Sequence, residues 1–217
     1  MPDHHELPTI GWVPAWADLQ ERSAGPVDSG FVLRAGTGQD PESQEYVAGW
    51  PGPGTEELAS NAAAKAGVRL TLLCADAAAA AAAARDHAPR GLAPVAERVL
   101  LMAPTAELNG PVVLPENSQV ALAPMETFDA VEITVFDHPV AKGRIQIRDD
   151  FAAVAVTELP QGPEQETFEQ GLFAAMAEEA FLHGAEYLHM VVEPEAAVRY
   201  ESSGWTAAGR LVSFGKN

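Results

Sequence analysis

A chain of 217 residues with 47% apolar content is long enough for one larger domain or two small ones, and for a real core. Thirteen basic against 31 acidic residues give a formal charge of −18, which argues against nucleic acid and anionic membrane surfaces and favours an amine or a basic partner. Cys74 is the only cysteine, no apolar run approaches the ~20 residues of a membrane helix, and the start MPDHHELPTI lacks a leader pattern, so the expectation is a cytoplasmic protein without disulfides. His4 and His5 beside Asp3 and Glu6 read as a frayed end, and no metal site is expected.

In chain order, 12–22 predicts a short helix or irregular lead-in, with Trp12 and Trp16 spaced to share one face. Strands follow over 30–35 and 45–50 around a polar turn at 39–42. The run PGPGT breaks the chain and offers Thr55 as an N-cap, with Glu56 and Glu57 in the first turn of a helix reaching about 66. Gly67 ends it, and 68–75 is a buried strand by its continuous apolar content. Asp76 then caps an alanine-dominated helix to His87, closed by Pro89 and Gly91, which has high propensity but little volume and must pack closely or stay partly exposed. A strand over 92–102 completes the first half, with the turn-like APVAE inside it.

The Pro-, Asn- and Gly-rich stretch from 103 to 124 reads as a boundary, giving units 1–103 and 125–217 around a linker at 104–124. Beyond it, 130–136 and 140–148 alternate around the turn DHP as a hairpin, and Asp149-Asp150 return the chain into FAAVAVTEL at 151–159, a third meander strand. The acidic loop PQGPEQETFEQ leads into a helix over about 168–183, whose stripe carries Phe168, Leu172, Phe173, Met176, Ala180 and Phe181. A strand at 187–192, a short helix from Pro194 through 202 and a closing strand or hairpin at 205–214 finish the chain. A strand feeding a helix through such a turn aims the free N–H groups of the helix at the loop, a usual place for an anion. This loop instead offers Glu164, Glu166 and Glu169, without Lys or Arg.

The two halves align. AGVRLTLLCAD, its alanine helix and RGLAPVAERVLLM follow the same order as HGAEYLHMVVEP, its helix and SGWTAAGRLVSF, with Gly67 matching Gly184 and Gly91 matching Gly204. Duplication of one β-α-β-α-β unit accounts for this. The meander VEITVFDHPVAKGRIQIRDDFAAVAVTEL, the helix end AEEAFLHGAEYLHMVVEP and the tail VRYESSGWTAAGRLVSF resemble the GNAT acetyltransferase superfamily, in particular its tandem-domain members, over about 131–214 and more faintly over 30–102. The resemblance implies a mixed α/β (α+β) fold, a mostly antiparallel sheet flanked by helices, in two related units in tandem.

It also implies a site. In GNAT enzymes the strands corresponding to 151–158 and 187–192 splay apart and acetyl-CoA enters the gap, its pantetheine paired like an added strand, which assigns Val154, Ala155 and Val156 to the cofactor. The pyrophosphate rests on the next loop and helix N-terminus, where the pattern Arg/Gln-x-x-Gly-x-Gly/Ala falls on Glu164, Thr167 and Glu169, with Thr167, Phe168 and Glu169 as contacts. All three pattern positions depart from the family. Tyr200 in VRYESSGW stands where the family places the tyrosine that protonates the CoA thiolate, and Glu158 ends its strand where a general base could reach an amine. Each has a plainer reading, Tyr200 as a packed ring and Glu158 as a surface carboxylate; Cys74 reads as a buried small residue. The family's two helices between its first strands have no room here. Three functions stand open: an N-acetyltransferase acting on a small amine or basic protein acceptor, a GNAT-fold module that has lost acetyl-CoA and serves as a binding or regulatory partner, and a homo-oligomer whose splayed gap pairs with a second copy.

Overall fold

The structure, a computed structural model, describes residues 9–36, 43–87 and 90–216. The expected turn at 39–42, Pro89 and the histidines at positions 4 and 5 lie outside the described residues. The chain forms two compact units, Met1–Leu101 with Val191–Asn217, and Met102–Met190.

The first unit begins with α1 (Val13–Leu19), on which Trp12 and Trp16 meet with ring centroids 5.6 Å apart, as their spacing predicts. Next come β1 (Ser23–Val27), β2 (Gly30–Arg34) and β3 (Gln44–Trp50), an antiparallel meander whose first strand the sequence reading missed. Helix α2 (Thr55–Ala64) starts one residue earlier than expected: Gly54, at φ +74°, is the N-cap. Thr55 is the first helical residue and its hydroxyl donates to the Gly52 carbonyl at 2.9 Å. Strand β4 (Val68–Cys74) runs parallel to β3 over seven consecutive pairs, Gln44↔Val68 to Trp50↔Cys74. Asp76 caps α3 (Ala77–His87) as predicted, its Oδ1 accepting the Ala79 N–H at 2.8 Å. The alanine helix meets both of its expected constraints, since Ala80, Ala83 and His87 are buried while Ala77, Ala78 and Ala81 are exposed. Ala80 and Ala83 join Leu58, Ala59 and Ala62 of α2 and Leu70, Leu72 and Cys74 of β4 in one apolar core.

Strand β5 (Leu92–Pro104) is continuous through APVAE. The first unit is completed from the far end of the chain by α6 (Pro194–Glu201) and β11 (Thr206–Lys216), which pairs antiparallel with β4 from Arg210↔Cys74 to Phe214↔Leu70. The order in this unit is β1-β2-β3-β4-β11-β5. Dividing the sequence at 1–103 and 125–217 assigns that tail to the second unit; the compact unit takes it into the first because its hydrogen-bond partner is β4.

The second unit opens with a helical turn, α4 (Thr105–Leu108), and strand β6 (Ser118–Pro124), both inside the stretch read from sequence as a linker. Thr105 fixes the turn by donating from its hydroxyl to the Ala185 carbonyl at 3.0 Å and from its N–H to the Glu186 carbonyl at 2.9 Å. Strands β7 (Asp129–Val135), β8 (His138–Arg148) and β9 (Phe151–Glu158) form the expected meander. Its first turn is the two residues Phe136 and Asp137, both at positive φ, the backbone that matches hairpin twist. Helix α5 (Gln165–Leu182) lies over β7, β8 and β9, and β10 (Tyr187–Val192) returns parallel to β9. The order is β10-β9-β8-β7-β6. Each unit is thus a mostly antiparallel sheet flanked by helices, with one parallel pair made by a strand–helix–strand passage. The element order β-β-β-α-β-α-β also occurs twice, from β1 to β5 and from β7 to β11, as the sequence repeat implies.

Candidate functional site

Strand β9 is buried through its first half, Ala152, Ala153 and Val154 in succession, as its continuous apolar run dictates. Ala152 and Val154 are buried on the face that carries α5, Ala155 and Val156 are half-buried, and Thr157 and Glu158 are exposed. One edge is held by β8 from Arg148↔Phe151 to Lys142↔Glu158, with a bulge that skips Thr157. The other edge pairs with β10 only through Tyr187↔Phe151, Leu188↔Ala152 and His189↔Ala153. Past that rung the ladder stops, which leaves Val154 to Glu158 without a β10 partner. The corresponding parallel pair of the first unit, β3 and β4, is joined over seven pairs. One unit therefore keeps an open fork where the other is zipped shut. The backbone around Val154, Ala155 and Val156 can accept an extended chain as an added strand.

His189 stands at the vertex of this fork, a residue absent from the candidates drawn from the sequence, where it is one histidine inside the apolar run YLHMVV. Its ring meets Phe151 edge-on at 5.5 Å and its Nδ1 has no hydrogen-bond partner. Burial pushes its pKa from 6.5 down to about 4, outweighing a hydrogen bond with the Ala152 backbone and the Asp150 charge, so the imidazole is neutral at pH 7.

The loop after β9 turns at Gly162, φ +120°, and enters α5 with Glu164 as N-cap. Glu164 is exposed and in helical conformation, and its side chain makes no cap bond. Glu166 occupies the first turn, where a carboxylate favours the helix dipole by ~0.3–1 kcal/mol. Thr167 is half-buried. Phe168, at 2% exposure, and Glu169, at 5%, point into the packed side of the helix.

The other two candidates are accounted for locally. Glu158 pairs with Lys142 Nζ at 3.0 Å, both side chains well exposed, and the carboxylate raises the Lys142 pKa. Such pairs contribute little to stability. Tyr200 belongs to the first unit, on α6. Its ring is 7% exposed, lies under the Arg199 guanidinium at 4.6 Å and meets Trp205 at 6.5 Å, while its hydroxyl accepts from Arg199 Nη2 at 2.8 Å. Cys74 is fully buried, with its thiol pushed up to about 12 by burial and then by Asp76 and Glu97, which removes it from thiolate chemistry. Among the described residues no group of His, Cys, Asp or Glu could hold a metal, and no helix is long and apolar enough to cross a membrane.

Charge is distributed unevenly. From Asp149 to Val198 there is no Lys or Arg, nor is there one from Val99 to Ala141. Between Met102 and Met190 the three cations, Lys142, Arg144 and Arg148, all lie on β8 and face fifteen carboxylates, a net −12 of the chain's −18.

No protein-family model and no curated protein matches this chain. Solved structures do. A GCN5-related N-acetyltransferase from Kribbella flavida superposes with a TM-score of 0.62 at 20% identity over 96% of each chain. A tandem GNAT protein from the clavulanic acid biosynthesis pathway gives 0.56 at 11% identity, covering 86% of this chain and 78% of its own. A GNAT-family putative acetyltransferase from Novosphingobium aromaticivorans gives 0.50 at 17%, over 94% and 97%. The chain has the GNAT acetyltransferase fold in its tandem form.

Proposed function

We propose that this chain is a GNAT-fold binding module in which the fork between β9 and β10 persists but acetyl-CoA transfer has been given up. The observation that carries the reading is the charge around the start of α5. Acetyl-CoA needs an extended backbone edge for its pantetheine arm and an electropositive, glycine-lined turn for its pyrophosphate. The free edge of β9 fits the first requirement. The turn does not fit the second: Glu164 and Glu166 flank the helix N-terminus, no cation occurs between Asp149 and Val198, and the Gly positions of the family pattern hold Thr167 and Glu169. A phosphate ~7 Å from each carboxylate is repelled by ~1–2 kcal/mol per pair at an effective dielectric near 20–40, enough to cancel the attraction of the helix dipole.

One observation favours the second reading, an N-acetyltransferase acting on a small amine or basic protein, with Glu158 as base and Tyr200 as acid. It is the three-pair ladder of β9 and β10, against seven in β3 and β4. A cytoplasmic location belongs to either reading, on the strength of the single buried Cys74. Calorimetric titration with acetyl-CoA separates the two. The binding-module reading expects no saturable heat up to about 1 mM, weaker than about −4 kcal/mol. A Kd near or below about 50 μM would establish the acetyltransferase reading in its place.

A further inference from the structure

We propose that the free edge of β6 and the apolar groove beside it form a docking site for an extended peptide segment of a partner protein, apolar at its centre and flanked by Lys or Arg. Strand β6 is the last strand of its sheet and pairs with β7 along its whole length, Ser118↔Val135 to Pro124↔Asp129. That register sets Val120 opposite Ile133 and Leu122 opposite Val131, so the four side chains share one face of the sheet. Ile133 and Val131 are fully buried, and Gly171 of α5 sits against Ile133 Cδ1. Val120 and Leu122 are 41% and 39% exposed. The apolar face therefore runs on past the part that α5 covers.

What remains is a groove of about 630 Å³ between β6 and the C-terminal half of α5. Its floor is apolar, with Leu114, Val120, Leu122 and Leu182, the last 71% exposed. Glu178 and Glu179 stand on its helix side. Gly171 shapes it, since a Cβ there would come within 2.7 Å of Leu114 Cδ2.

Two features select the occupant. Exposed edge strands are ordinarily guarded by a charge, a bulge or a central proline. The run SQVALAP carries no charge, keeps register throughout and has its only proline at the end. Its outward N–H and C=O groups can take another strand. The second feature is complementarity: neither segment forming the groove contains a Lys or Arg, and the unit carries −12. A second copy would set carboxylates against carboxylates, whereas a Lys- or Arg-flanked segment would be steered in and paired.

The inference extends the binding-module reading, and its test is read apart from the acetyl-CoA titration, which can fall either way without moving it. Fluorescence anisotropy with labelled KKVTVTVKK should show saturable binding with Kd of order 10–100 μM, weakening with salt, while EEVTVTVEE should not bind. Leu122→Lys, which puts a cation on the groove floor, and Glu178→Lys should each weaken the basic peptide at least about tenfold. Both side chains are exposed, and unchanged thermal melting would verify that the variants fold. Equal binding of the two peptides, or indifference to both substitutions, overturns the proposal. So does sedimentation showing a concentration-dependent dimer that Leu122→Lys disperses, which would give the edge to a second copy.

Discussion

His189 holds the last rung of the β9–β10 ladder, and its protonation should loosen the unit that bears the fork. Burial keeps its folded pKa at about 4, against 6.5 for a free imidazole. As pH falls below about 6.5 the unfolded chain binds a proton that the folded chain refuses. Stability is therefore complete above that value and declines until the folded group also titrates, near 4. The interval corresponds to about 3 kcal/mol, and because the side chain is only half-buried, screening trims the expected loss to about 2 kcal/mol. Urea unfolding of the wild type and His189→Gln, which keeps a polar group that cannot titrate, should show the wild type losing about 2 kcal/mol more between pH ~7 and ~4.5. His87 titrates in the same direction in both proteins and cancels in the difference. Imidazole NMR, with the resonance identified by its absence in the variant, should titrate near 4. A midpoint close to 6.5, or parallel pH slopes for the two proteins, would refute the reasoning.

Two further outcomes follow from the first unit. Glu45, 7% exposed, accepts from Arg22 Nη1 at 2.5 Å and from Thr71 Oγ1 at 2.6 Å. Thr71 and Ser213 are 2.7 Å apart, so with the Thr71 proton committed to Glu45 it is Ser213 that donates. Glu45→Leu strands the Arg22 charge and should cost about 3–5 kcal/mol, a drop in Tm of roughly 6–20 °C, while Arg22→Met with Glu45→Leu should regain most of it. A single variant within about 1 kcal/mol of wild type would show that the pair is not closed from water. His87 is 1% exposed with neither ring nitrogen partnered, and burial lowers its pKa. His87→Leu should be neutral or stabilising by about 1 kcal/mol near pH 7.5, its advantage growing as pH falls below about 6.5; a loss above about 2 kcal/mol would mean that the imidazole is bonded after all.

What the sequence disclosed depended on whether a segment buries one face. Strands β7 and β8 and helix α5 do, so their periods of two and 3.6 could be read directly, except that Phe181 at the end of the predicted stripe is 56% exposed. Strand β6 does not. Every residue from Gln119 to Pro124 is exposed, so no alternation marks it, and its Pro and Gly neighbours made it resemble a linker. Strand β1, SAGPV, lacks the β-branched run that announces a strand. The destination of β11 was illegible for another reason. Its apolar residues promise burial but cannot name β4 as the neighbour, because strand pairing is non-local. The fork has the same character: FAAVAVTE and YLHMVV show two buried strands, while the rung at which they part is set by the bulge and by what lies beyond His189. The acidic loop could be found because a helix N-terminus without cations is a statement about residue types alone.

That loop belongs to a wider pattern. Acid placed for solubility alone would be spread along the chain, yet Met102–Met190 carries −12 while the remaining residues, more than half of the protein, carry −6. Within that unit every Lys and Arg sits on β8, so the start of α5 and the helix side of the β6 groove present carboxylates with no Lys or Arg among them. A field of one sign acts on every approaching charge at once within a Debye length of ~10 Å at 0.1 M salt. It opposes a phosphate at Glu164 and Glu166 and draws a cationic segment toward Glu178 and Glu179. The departure from the acetyl-CoA pattern and the unguarded edge then have one physical origin: a unit that excludes anions at one end of α5 can offer its uncharged strand edge near the other, because its own charge also keeps identical copies apart.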